Sequence, residues 1–166
     1  DIFVSADGTV TGEGTQADPL LFNQTVIDEI AQNGDRIVVM GNIVLGGSID
    51  IIGKSLTITG YNALNDPDGE SNAASLDGSE SGAIFNISGI CSVTISNLVL
   101  KNATEQAIQI DGTNTNNSLN VDLGYLLIKD NSSPDPSTDG EDNGAGVTVI
   151  GGAVTNIFSC WFQNNQ

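Results

Sequence analysis

The sequence predicts an all-β chain wound as a right-handed, single-stranded parallel β-helix, a solenoid closed at its N-terminal end by an amphipathic capping helix. Three observations predict it. The 166 residues are 39% apolar but only 5% aromatic, and contain 20 glycines among abundant Asn, Ser and Thr, a strand-and-turn composition. Three later blocks share one internal pattern, which is how a stacked repeat architecture shows itself. Helical spacing of apolar residues occurs once, near the start.

Residues 1–18 (DIFVSADGTVTGEGTQAD) read as a short strand at residues 2–5 followed by Gly-rich turns. Residues 19–32 read as the capping helix. Asp18 is placed to cap it and Pro19 to open it. Leu21, Phe22, Val26, Ile27, Ile30 and Ala31 recur at helical spacing, and Asn33-Gly34 supplies a stop. Residues 1–35 are therefore assigned to the cap and residues 36–166 to the β-helix.

Residues 36–45 (RIVVMGNIVL) and 48–61 (SIDIIGKSLTITGY) are rich in β-branched side chains, as strands should be. An insertion follows at 62–75, with the turn string NDPDGESN. The repeated blocks are 82–102 (GAIFNISGICSVTISNLVLKN), 106–130 (QAIQIDGTNTNNSLNVDLGYLLIKD) and 144–164 (GAGVTVIGGAVTNIFSCWFQN). Their endings align, so stacking predicts columns: Leu98 over Leu126 over Cys160, and Leu100 over Ile128 over Phe162. Asn102, Asp130 and Asn164 share one corner position, where an inward Asn could bond its counterpart in the next layer. Blocks of unequal length suit a solenoid, whose outside tolerates insertions such as residues 131–143. A Greek-key sandwich is the competing architecture; the internal repeat and the single N-terminal helix favour the β-helix.

The helix can cover the first layer, but no matching lid follows WFQNNQ. An uncovered last layer offers unpaired backbone groups and open core. The expectation is either a longer protein cut short or a subunit that associates through its open C-terminal coil.

GGAV at 151–154 and FQNN at 162–165 resemble the GGA(hydrophobic) and FxxN repeats of chlamydial-type polymorphic outer-membrane proteins, with SGAI at 81–84 as a degenerate copy. The opening IFVSADGTVTGEGTQADPL is similar to the start of such domains, within the broader pectate-lyase-like superfamily. This resemblance implies a secreted or cell-surface passenger or adhesin without a defined ligand, and further coils beyond the FxxN element.

Charge excludes several functions. Four Lys+Arg against 21 Asp+Glu, with no His, give a formal net charge of −17. That balance opposes nucleic acid and anionic membrane surfaces, and no apolar run is long enough to span a membrane. The basic residues are Arg36, Lys54, Lys101 and Lys129. Lys101 and Lys129 fall in one outward column rather than opposite an acid cluster, and His-assisted chemistry has no His. The chain is therefore read as non-catalytic, although two-carboxylate hydrolysis needs only paired acids.

Asp66, Asp68 and Glu70 alternate around a Gly turn, in the style of a Ca2+ loop, and Asp135, Asp139 and Asp142, with Glu141 and Asn143, form a second acidic loop. Both are also ordinary turn compositions. No cofactor is required, and Ca2+ is the ion these loops would suit. Five sequons, at Asn23, Asn86, Asn102, Asn116 and Asn131, permit N-glycosylation in a competent host. Cys91 and Cys160 lie about two layers apart, roughly 10 Å, beyond the ~7 Å reach of a disulfide, so free and largely buried thiols are expected. Val99, Leu127 and Trp161 form an outward apolar column, either a partner surface or a seam covered by the insertions.

The resulting expectation is an extracellular, surface-displayed structural and adhesive module. Its partners would be its own copies or a protein or glycan of a host or cell surface. Two alternatives stand beside it: a filament subunit stacking end to end, and the N-terminal part of a polysaccharide lyase or hydrolase.

Overall fold

β-Branched and Leu-rich runs become strands, and Gly, Asn and Asp become the bends between them. The computed structural model describes residues 1–65, 72–79, 82–132 and 145–166. Its strands are β1 (Ile2–Ser5), β2 (Leu20–Leu21), β3 (Arg36–Met40), β4 (Asn42–Val44), β5 (Ile49–Ile52), β6 (Leu56–Gly60) and β7 (Ala74–Asp77). They continue as β8 (Phe85–Ser88), β9 (Ser92–Lys101), β10 (Ile108–Gly112), β11 (Leu119–Lys129), β12 (Val147–Gly151), β13 (Ala153–Phe158) and β14 (Trp161–Gln163). The chain is all-β with almost no helix.

Every strand pairing among the described residues is parallel. A ten-stranded sheet runs β13-β11-β9-β6-β3-β1-β2, with β14 on β11 and with β7 joining β4 to β9. A four-stranded sheet runs β12-β10-β8-β5.

Register places like residues beside like. Ile37 pairs with Ile58, Ile58 with Ile95, Ile95 with Leu123, and Leu123 with Ile157. A second line joins Ile43, Leu76, Leu100, Ile128 and Phe162. A third, in the smaller sheet, joins Phe85, between Ile49 and Ile108, with Val147 next. These lines feed one apolar core. The aligned endings read from the sequence are thus neighbours in register.

The bends are also in register. Asn97, Tyr125 and Ser159 all have left-handed φ (56°, 53° and 51°), as do Asn102, Asp130 and Asn164 (58°, 55° and 51°). Asn and Asp enter this region more readily than other non-glycine residues. Asn97 and Tyr125 interrupt β9 and β11 between paired stretches, and Asn102, Asp130 and Asn164 each follow the last paired residue of a strand. Gly53, Gly89 and Gly151 mark a third bend.

The left-handed bend changes which residue faces inward. Asn102 and Asn164 donate sideways to acids, Asp77 at 2.8 Å and Asp130 at 3.2 Å. The buried asparagine is the next residue along. Asn131, 1% exposed, accepts from the Ala103 N–H at 2.9 Å and donates to the Leu100 carbonyl and to Asn165 Oδ1. Asn165 donates to the Ile128 carbonyl at 2.9 Å. Asn164 bonds its counterpart Asp130 as expected, but on an exposed corner; the inward ladder is corrected by one residue, to Asn131 and Asn165. A bend inside a strand resets the two-residue alternation.

The capping helix is corrected more heavily. Leu20 and Leu21 pair with Val4 and Ser5 as a strand, and the helical stretch is cut to residues 24–30, of which Val26–Ile30 form a wide turn closed by the Ala31 N–H on the Val26 carbonyl. Leu20 and Phe22 are buried with Leu21 between them half-buried, a strand alternation, because β1 needs an edge partner. Asp18 does not cap a helix; its carboxylate accepts from the Glu13 N–H.

What remains of the cap still closes an edge. Gln24 accepts from the Asp50 N–H at 2.8 Å and donates to the Asp50 carbonyl at 2.9 Å, standing in for a further strand beside β5. Lys54 Nζ donates to the carbonyls of Ile27, Asp28 and Ala31, all at the end of the helical turn. These are carbonyls that a helix leaves unpaired. Lys54→Met is expected to cost about 1–2 kcal/mol, the range for losing charge-assisted hydrogen bonds to partly buried carbonyls. Amide exchange should accelerate across residues 24–31 first; unchanged exchange there would refute this role.

Candidate interaction surface

Each residue singled out from the sequence has a definite place, or lies outside the described residues. Asp66, Asp68, Glu70, Asp135, Asp139 and Asp142 lie outside them, as do Glu141 and Asn143. Among the described residues, no three acidic, Cys or His side chains gather as a metal site.

Val99 and Leu127 are paired in register and wholly buried, so they offer no partner surface. Leu64 and Ala73, from the segment after β6, pack over them as a second small apolar cluster, and half-buried Trp161 rests against it. The Leu64 N–H on Asn97 Oδ1 pins that segment at a left-handed bend. The covering alternative is the one the fold adopts.

The sequons divide by exposure. Asn131 is buried in the ladder, Asn86 donates to Asp50 at 2.8 Å, Asn102 donates to Asp77, and Asn23 accepts from the Val26 N–H. Asn116 alone among them is exposed, in the turn between β10 and β11.

The four basic residues have structural surroundings. Arg36 forms a two-point pair with Asp1 at 2.9 and 2.8 Å, and Lys54 holds the helical turn. Lys101 and Lys129 are register neighbours, as expected, flanked by Asp77 and Asp130. A cleft of about 310 Å³ lies between residues 22–24 and 45–49, and no titratable side chain lines it.

Both thiols are free, Cys91 buried and Cys160 half-buried. Burial pushes both thiols up from the ordinary value, against backbone hydrogen bonds that pull the other way. A raised value leaves less thiolate at neutral pH, and thiolate is the reactive form. Disulfide-exchange reagents should therefore modify Cys160 before Cys91, both slowly at pH 7, with rates still climbing beyond about pH 8.5. Rapid, simultaneous modification at pH 7 would contradict this.

Several half-exposed apolar side chains gather in the last row of strands. Among the described residues, β12, β13 and β14 each pair on one side only. Val149, Ile157 and Phe162 are 45%, 47% and 49% exposed, whereas their register partners Ile110, Leu123 and Ile128 are fully buried. Thr155 replaces an apolar residue in the line of Leu56, Val93 and Val121, and its buried hydroxyl has no hydrogen-bond partner. Beside it, Phe158 lies across Gly124, where an added methyl would meet the ring at 2.3 Å, and edge-on to Tyr125. Sequence reasoning located this row but not Thr155; a Thr in an otherwise aliphatic column was the available signal.

The two tetrapeptides SGAI and GGAV do not occupy equivalent places. Ile84 precedes β8, whereas Val154 lies within β13; the residues aligned with Ile84 are Ala107 and Gly146. FQNN, by contrast, has a structural meaning: Phe162 continues an inner column, Asn164 makes the bend, and Asn165 joins the buried ladder. Compared with protein-family models, with curated proteins and with solved structures, the chain matches none.

Proposed function

We propose that the chain is a right-handed parallel β-helix module that serves as an extracellular, surface-displayed structural and adhesive scaffold. One observation carries the reading: the chain returns repeatedly to the same parallel sheet, in register, with no helical element between β3 and β13 among the described residues. Parallel neighbours need a long connection, ordinarily a helix. Here the path from β3 to β6 passes through β4 and β5, and the path from β9 to β11 passes through β10. Winding accounts for that economically, and it accounts for bends recurring at register-equivalent positions.

A stacked frame of this kind is rigid along its axis and leaves its outward residues free to vary, which suits display and adhesion. Net charge of −17 keeps such a surface soluble in a saline exterior, where screening limits self-repulsion. The FQNN resemblance to outer-membrane repeats points the same way.

The test is accessibility on intact source cells. A membrane-impermeant amine label and an antibody against the chain should reach it before lysis. Labelling only after lysis would end the extracellular reading.

A further inference from the structure

We infer that Asn116 is the acceptor of an N-linked glycan on the folded chain, and that the fold closes the other four Asn-X-Ser/Thr sites to one. The setting rests on the extracellular reading, because a transferase must meet the chain after export. The choice of acceptor rests on the folded surface alone.

A transferase needs the asparagine amide, the middle residue and the hydroxyl of a sequon to leave the surface together. Asn86, Ile87 and Ser88 belong to β8, with Ile87 buried in the core and the Asn86 amide on Asp50. Asn102 donates its amide to Asp77, and the next residue, Ala103, is buried with its N–H on Asn131. Asn131 is buried and spends its amide on the Leu100 carbonyl and Asn165. At Asn23 the middle residue is Gln24, clamped to the N–H and carbonyl of Asp50.

Asn116 is placed differently. Residues 113–118 join β10 to β11, where residues 89–91 suffice between β8 and β9, and all of them except Thr115 are exposed. Thr115 anchors the turn, its N–H and its buried hydroxyl both donating to the Gly112 carbonyl. Past that anchor, the Asn116 side chain makes no hydrogen bond among the described residues, and the Ser118 side chain is exposed two positions on. Asn114, Asn116 and Asn117 all hold left-handed φ (65°, 49° and 61°). The bond from the Ser118 N–H to the Thr115 carbonyl is the one a transferase would break to draw the three residues out. So short an opening leaves both flanking strands paired.

The transfer is a substitution at the sugar. The Asn116 amide nitrogen bonds the anomeric carbon of a lipid-diphosphate-linked oligosaccharide. The carbon–oxygen bond to the diphosphate breaks, its electron pair leaving on oxygen, and one amide proton passes to a carboxylate of the transferase.

The test treats the folded chain with a purified single-subunit oligosaccharyltransferase and a dolichyl-diphosphate oligosaccharide, read by intact mass and peptide mapping. One glycan per chain is expected, on Asn116. Asn116→Gly suits the left-handed backbone and removes the acceptor, and Ser118→Ala keeps the acceptor but removes the hydroxyl; each should reduce transfer to background. Free peptides spanning Asn86 and Asn102 should take the glycan that the folded chain refuses there. An unmodified Asn116, a glycan at any of the other four asparagines, or peptides as refractory as the fold would each overturn the inference. Because the purified chain is used, none of these results depends on where the cell keeps it; the surface-labelling experiment judges that reading separately.

Discussion

Replacing Asn131 with leucine is expected to destabilise the chain by about 2–4 kcal/mol, although the new side chain is apolar and close in size. The side chain accepts from Ala103 and donates to Leu100 and Asn165, tying three successive layers at a site 1% exposed. Removing it leaves the Ala103 N–H without its side-chain partner and takes a donor away from the Leu100 carbonyl and from Asn165 Oδ1. A buried group left without a partner costs roughly 1–3 kcal/mol. Asn102→Gly is the matched control. It removes the partly buried bond to Asp77 but keeps a residue at ease with φ of 58°, so its cost should stay near 1 kcal/mol. Urea unfolding of the two variants gives the comparison. Equal midpoints would show that the ladder at Asn131 contributes no more than the outer corner.

Phe85→Ala is the second large effect, expected at about 3–5 kcal/mol. Phe85 is a fully buried side chain in β8, held in register between Ile49 and Ile108. Its removal leaves a void that rigid neighbouring strands cannot fill, so lost transfer energy and cavity cost add. At roughly 2–4 °C per kcal/mol for a chain of this size, the melting temperature should drop by about 6–20 °C. Phe162→Ala, at a similar inner position but 49% exposed, should cost far less. Comparable losses from both would mean that the last row is as covered as the middle ones.

Much of this architecture was legible because stacking repeats a pattern in the sequence itself. The endings LVLKN, LLIKD and CWFQN align by eye, and Leu100, Ile128 and Phe162 are register neighbours. What misled was local. Leu20 and Phe22 satisfy both a strand alternation and part of a helical stripe, and the edge of β1 settled the matter in favour of a strand. The inward asparagine was misplaced by one because Asn102 and Asp130 are left-handed, and such a bend turns the following side chain into the core.

The contacts that finish the fold had no local signal at all. Lys54 reaches carbonyls 23 to 27 residues away, and Gln24 bridges to Asp50. Leu64 could have been noticed as a lone large apolar residue in a turn-rich insertion, and it is what covers Val99. The acidic loops proposed for Ca2+ lie outside the described residues, so the ligand reading still stands on composition alone.

The account turns on whether successive strands lie side by side in one register. Methyl-to-methyl Overhauser contacts in a selectively labelled sample measure this directly, since parallel neighbours sit about 4.8 Å apart. Contacts should link Ile37 to Ile58, Ile58 to Ile95, Ile95 to Leu123, and Leu100 to Ile128. Contacts displaced by one residue, or Leu100 and Ile128 contacting unrelated strands, would contradict it.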